Sequence, residues 1–143
     1  MAEDRFAGTW RLLECYGKWS DGGVSYPYGK EPEGQLIYDG HGNFSGQIAG
    51  SGRPAFRSGN LLKGTEEEVR TAFEGYLAYY GTYEVDEASG RFTHHVKNSL
   101  FPNWIGDVQT RIFEFEGERL RLNTEPIKGA KGDLTVTLLW ERV

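Results

Sequence analysis

The chain has 143 residues, enough for one domain with a buried core. Its net charge of −5, with no basic run and no RNA-binding aromatic motif, argues against nucleic acid as a partner, and no apolar run approaches the length of a membrane span. Aromatic residues at 14% and 20 glycines suit an all-β chain, in which rings pack on pleated surfaces and glycines serve tight turns.

Taken in order, residues 6–19 read as a first strand with Gly8, Trp10 and Leu12 on one face. On that parity Cys15 points outward, which weakens it as a nucleophile. Ser20-Asp21-Gly22-Gly23 is a turn. Residues 24–33, with Tyr26, Pro27, Tyr28 and Pro32, form a connection across an open end. Residues 34–38 and 44–48 pair as strands around Asp39-Gly40-His41-Gly42-Asn43. Residues 50–64 are polar, glycine-rich and aperiodic, as expected of a mobile loop.

The pattern then changes. Thr65-Glu66-Glu67-Glu68 is a capping box, in which the Thr65 hydroxyl accepts the Glu68 amide and Glu68 reaches back. Val69, Ala72, Phe73, Tyr76 and Leu77 follow at helical spacing, an apolar face of about three turns. This helix is expected to cover one side of a barrel.

Residues 79–86 and 91–99 form a hairpin across Glu87-Ala88-Ser89-Gly90. Tyr83 then opposes His94, and Tyr83, Val85, Phe92, His94 and Val96 share the inward face while His95 points outward. Residues 106–115 and 118–124 form a second hairpin across Glu116-Gly117, with Phe113 opposite Leu120 and Arg111 opposite Leu122. Residues 133–142 close the chain, with Leu134, Val136, Leu138 and Trp140 on one face. The fold class expected is all-β: an up-and-down antiparallel barrel of about eight strands with one inserted α-helix, roomy enough for a packed interior or one small ligand.

Several ordered segments carry a resemblance: Gly8-Thr9-Trp10-Arg11-Leu12, Gly34-Gln35-Leu36-Ile37-Tyr38, Tyr79-Tyr80-Gly81-Thr82-Tyr83, Thr93-His94-His95-Val96, Pro102-Asn103-Trp104 and Leu139-Trp140-Glu141-Arg142. Gly8-x-Trp10 resembles the signature of the lipocalin and fatty-acid-binding superfamily, in which a late arginine packs across the tryptophan; Arg142 is placed to do so. The whole set resembles the bacterial and fungal lipocalin-like domain family. The resemblance implies a small barrel with a central pocket, and some members of that family accompany natural-product biosynthesis enzymes.

The chain differs from secreted lipocalins. Its single cysteine excludes a disulfide pair, and the charged opening Met1-Ala2-Glu3-Asp4-Arg5 is unlike a signal peptide, so a cytoplasmic location is expected.

Four candidate groups follow from the inward faces. His94, opposite Tyr83, could hold or shuttle a proton near neutral pH, or could be a structural histidine bonded to a tyrosine. Arg111, among leucine and phenylalanine, needs an anion or several acceptors: a ligand oxygen, or an internal ion pair. Tyr28, Tyr38, Tyr83, Trp104 and Trp140 could line an aromatic pocket or simply pack. Asn98 and Gln109 would extend the polar strip if they face inward.

No metal site is expected, because His94 and His95 are adjacent on a strand and point to opposite faces. No cofactor fingerprint or nucleophile elbow appears. The leading expectation is a barrel binding one small apolar or aromatic, optionally anionic, molecule through Tyr38, Tyr83, His94, Asn98, Trp104, Gln109, Arg111 and Trp140. A second is a cofactor-independent isomerase, cyclase or dehydratase, with His94 as acid/base, Tyr83 as its orienter and Arg111 as the electrophilic stabiliser. A third is an interaction module using residues 50–64 and the outward His95 strand. Sequence alone leaves the oligomeric state open.

Overall fold

The computed structural model describes residues 4–129 and 132–143. Its strands are β1 (Gly8–Trp19), β2 (Val24–Ser25), β3 (Glu33–Tyr38), β4 (Asn43–Ala49), β5 (Tyr76–Asp86), β6 (Arg91–Ser99), β7 (Val108–Glu116), β8 (Arg119–Thr124), β9 (Ile127–Gly129) and β10 (Gly132–Arg142). One helix, α1 (Glu66–Glu74), and a single 3₁₀ turn (Pro102–Trp104) complete it. Eight strands run antiparallel in the order β1-β3-β4-β5-β6-β7-β8-β10, and β10 pairs back onto β1 to close the barrel. The short β2 and β9 flank it. Closure removes the free sheet edges that an open sheet of this length would expose.

The two ends of the barrel differ. At the base, residues 4–7 cross the opening and Phe6 fills it, almost fully buried. Its ring meets those of Tyr38, Phe92, Phe113 and Phe115 at centroid distances of 5.0 to 5.3 Å, three of the four edge-on. Such edge-to-face contacts add to the hydrophobic burial of the rings. These rings fill the centre of the lower half, beside a cleft of about 250 Å³ bordered by Asp4, Arg5, Phe6, Gly42, Tyr83, Val85 and Glu87. The opposite end, the mouth, carries α1, residues 50–64 and the 3₁₀ turn.

The helix follows from its cap. The Thr65 hydroxyl accepts the Glu68 amide, and a Glu68 carboxylate oxygen accepts the Thr65 amide. It ends sooner than the apolar spacing predicts, because Gly75 caps it and Tyr76 and Leu77 already belong to β5. None of its residues is buried; it lies over the mouth instead of packing into the core.

Two β-bulges decide which side chains enter the barrel. In β1, Leu12 pairs with Trp140 and Glu14 with Leu139, so Leu13 is an extra residue. The parity of β1 flips there. Trp10 and Leu12 point in below the bulge and Cys15 points in above it, which corrects the outward placement expected for Cys15. In β5–β6, Tyr80 pairs with Asn98 and Gly81 with Val96, so Lys97 is extra. Asn98 is thereby turned outward beside the exposed Tyr80, and does not extend the interior polar strip.

The β7–β8 hairpin also shifts from its expected register. Glu116 pairs with Arg119, so the turn is Gly117-Glu118, with Gly117 at φ +62°. Phe115 therefore opposes Leu120, Phe113 opposes Leu122, and Arg111 opposes Thr124. Arg111 gains a hydroxyl neighbour where a leucine was expected.

Candidate ligand-binding site

The inward side chains above the aromatic plug form a mixed chamber. His94 is the lowest of them. It sits on β6 with Tyr83 on one side and Gln109 on the other, as hydrogen-bond register dictates. Its ring stacks on Phe44 at 3.8 Å and 11°, and its Nε2 lies 2.7 Å from the Tyr38 hydroxyl. Tyr83, the expected orienter, instead donates its hydroxyl to the Asp4 carboxylate at the base. The residue that orients His94 is thus Tyr38.

Burial, and next the positive charge of Arg111, push His94 from its ordinary 6.5 down to about 3. The ring is neutral at neutral pH. Tyr38, fully buried, has its phenol pushed well above the ordinary 10.0 by the same loss of solvent. The pair is a neutral hydrogen bond.

Arg111 enters from β7, between Gln109 and Phe113 and opposite Phe92 and Thr124. Its Nη1 donates to the Thr110 carbonyl at 3.1 Å. Among the described residues it has no carboxylate partner. Gln109 is buried and gives its amide to Asp107 at 3.3 Å.

Tyr79, on β5, links this polar strip to the mouth. Its ring meets Phe44 at 5.4 Å, His94 at 6.0 Å and Trp104 at 5.4 Å. A Cβ at the facing Gly46 would meet the Tyr79 ring at an ordinary contact distance of 3.5 Å and press more closely on Leu36 Cδ1, at 3.2 Å. Sequence reasoning missed Tyr79 as a site residue, although its alternation with Tyr83 in β5 was the available signal. Above it, a cleft of about 220 Å³ opens between Tyr28, Phe73, Glu74, Tyr76, Leu77, Leu100, Phe101 and Trp104.

Of the expected residues, then, Tyr38, His94, Gln109 and Arg111 gather in the interior, and half-buried Trp104 borders the cleft above. Trp140 is buried between Leu12 and Leu120, and its indole N–H has no partner among the described residues. Tyr83 belongs to the base and Asn98 to the outer surface. Cys15 joins the chamber walls; burial raises its thiol to about 11, so it is protonated at neutral pH.

A closed antiparallel barrel with a plugged base, an aromatic lining and one interior guanidinium has the architecture of a small ligand-binding calycin. The chain belongs to the lipocalin-like domain family, whose profile matches residues 7–143. It is 36% identical over 86 residues to the 4'-hydroxy-3'-methoxypropiophenone carrier protein of Aspergillus oryzae (strain ATCC 42149 / RIB 40), a stretch covering 56% of this chain and 78% of that protein. No solved structure matches the chain. Among the described residues no helix is long and apolar enough to cross a membrane.

Proposed function

We propose that this protein is a carrier that binds one small aromatic molecule in the upper half of its barrel, with an acceptor oxygen of the ligand on Arg111. The observation that carries this reading is Arg111 itself. A guanidinium set against Phe92 and Thr124 makes one hydrogen bond, to the Thr110 carbonyl, and has no carboxylate partner among the described residues. A half-buried guanidinium among rings, with N–H groups to spare, offers a ligand oxygen a charge-assisted bond. The aromatic walls would hold a ring, with Trp104 and Tyr28 at the entrance and Tyr79 below.

The relative's named cargo, 4'-hydroxy-3'-methoxypropiophenone, is an aryl ketone with a phenol, and a molecule of that class suits an aromatic chamber with one cation. The buried, unpaired Cys15 thiol suits a reducing compartment such as the cytoplasm.

The enzyme alternative draws less from the geometry. A histidine pushed down to about 3 has no imidazolium proton to give at neutral pH, and its expected orienter Tyr83 bonds Asp4.

The test is a titration of 4'-hydroxy-3'-methoxypropiophenone into the protein, followed by tryptophan fluorescence and by calorimetry. One ligand per chain is expected, with Arg111→Ala weakening binding by about tenfold or more and Asn98→Ala leaving it unchanged. Absence of saturable binding, or equal affinity in Arg111→Ala, would refute the reading.

A further inference from the structure

Tyr38 fixes more than the orientation of His94. Its phenolic proton needs an acceptor, and the only one within hydrogen-bonding distance among the described residues is His94 Nε2, at 2.7 Å. Tyr38 is therefore the donor and Nε2 the acceptor. In a neutral imidazole the remaining proton then sits on Nδ1. No protein acceptor for that proton lies within hydrogen-bonding distance among the described residues. The chamber thus holds two sets of donors with no protein acceptor among the described residues, the Nδ1–H of His94 and the remaining N–H groups of half-buried Arg111, on adjacent strands where His94 faces Gln109 and Arg111 faces Phe92.

The charges facing them come from every neighbouring strand. Cys15 on β1, Tyr38 on β3, Tyr79 on β5 and His94 on β6 are all neutral at neutral pH, because burial holds the thiol and phenols protonated and the imidazole unprotonated. Tyr28, in the connection before β3, is shifted the same way. From β8 the neighbour of Arg111 is the hydroxyl of Thr124. Asp107, just before β7, is the partner of the Gln109 amide. The Asp107 carboxylate is exposed and makes no ion pair with Arg111, so the charge inside the barrel is the positive one of Arg111.

We infer that this chamber selects ligands by acceptor oxygens and takes an acidic phenol in its ionised form, with Arg111 and His94 Nδ1–H donating to the ligand and the phenol proton released to solvent. The class indicated is a phenol made acidic by a para acyl group. Such a molecule becomes an anion at little cost, and charge-assisted hydrogen bonds then favour the anion over the neutral phenol. A donor-only ligand of the same shape meets neutral acceptors, such as the Gln109 side-chain carbonyl, and forgoes the charge-assisted bond to Arg111. The inference rests on the carrier reading above.

The experiment uses the full chain with 4'-hydroxy-3'-methoxypropiophenone and its O-methylated counterpart, 3',4'-dimethoxypropiophenone. Absorbance distinguishes phenol from phenolate, so the ionisation midpoint of the bound ligand is read directly in a pH titration. The expected midpoint lies at least one pH unit below that of the free ligand, with the O-methylated compound binding at least tenfold more weakly at pH 8. Arg111→Gln should return the midpoint toward the free value. Independently, ¹⁵N–¹H correlation spectra of the ligand-free protein should show His94 as the Nδ1–H tautomer, and Tyr38→Phe should relax that preference. An unshifted or raised midpoint with both compounds bound overturns this inference and leaves the carrier reading standing. Failure of both compounds to bind overturns both. An Nε2–H tautomer overturns the role of His94.

Discussion

The guanidinium of Arg142 lies over the indole of Trp10, 4.2 Å from the ring centroid, and spends two of its N–H groups on the carbonyls of Arg5 and Ala7 at 2.7 Å each. Trp10 in turn donates its indole N–H to the Phe6 carbonyl at 2.9 Å. First and last strands therefore pin the segment that plugs the base. Gly8 is required there twice over, by its φ of +132° and because a Cβ would stand 2.7 Å from Arg142 Nη1. Arg142→Ala should cost about 3 kcal/mol, from the lost cation–π contact and two charge-assisted bonds. Arg142→Lys should recover only part, since an ammonium cannot reproduce the fork. Urea midpoints read this; full recovery by lysine would show that charge alone matters.

The neutral His94 predicts a pH dependence of stability. Its folded value is lowered from 6.5 to about 3. The unfolded chain therefore binds a proton below about pH 6.5 that the folded barrel refuses. The stabilisation is complete above 6.5 and is lost as the pH falls toward 3, at up to about 1.4 kcal/mol per pH unit. Unfolding free energies measured in urea at pH 7.0 and 5.0 should differ by roughly 2 kcal/mol from this group. His94→Gln should flatten that slope while lowering stability at neutral pH. An unchanged slope in the variant would assign the effect to carboxylates instead.

Cys15 marks the limit of what the sequence reveals. Alternation of apolar residues gave the strands, and Gly8-x-Trp10 with Arg142 gave the closure of the barrel. The capping box at Thr65 was legible because it is local chemistry at fixed spacing. A bulge has no such signature: nothing in Leu12-Leu13-Glu14 announces that Leu13 is unpaired, yet that one residue brings Cys15 inside. The same holds for Lys97, which turns Asn98 out. His94 and Arg111 were legible as inward polar groups, but Tyr38 as the partner of His94 was not, since the two meet across the barrel and not along a hairpin. The plug formed by Phe6, with Asp4 on Tyr83, carries no periodic signal at all. Buried, with its thiol raised to about 11, Cys15 should react with a disulfide reagent at least a hundredfold more slowly than in urea-unfolded chain. Rapid labelling of the native protein at pH 7 would contradict the flipped parity.

The bulge at Lys97 gives a sharper test. A Cβ built on Gly81 would overlap the His95 carbonyl, and backbone atoms of Lys97 lie 3.0 Å away. The obstacle is backbone held by the ladder of β5 and β6, so it cannot move aside as a side chain could. Gly81→Ala should therefore destabilise the barrel by about 3 kcal/mol, toward the upper end of overpacking costs. Deleting Lys97 in the same chain removes the bulge and should ease the clash, while swapping the faces of the residues beyond it. Thermal unfolding of the single and double variants measures the coupling; equal losses added together would show that the bulge is not the cause.

The helix at the mouth should behave oppositely. Val69 and Phe73 are about half exposed, and α1 is tied down by polar contacts: Arg57 N–H to Glu68, Arg53 to the Ala72 carbonyl, and Gly50 N–H to the Gly75 carbonyl. Thr65→Ala removes one half of the capping box and should cost the helix about 1 kcal/mol. Because no helical residue is in the core, global unfolding should hardly change, whereas amide exchange across residues 66–74 should quicken about fivefold. Ligand that fills the cleft bordered by Phe73 should slow that exchange again, in the variant as in the parent chain. A fall in global stability equal to the cap energy would mean that the helix and barrel unfold as one unit, and exchange unaffected by ligand would mean that the mouth cleft is not on the binding path.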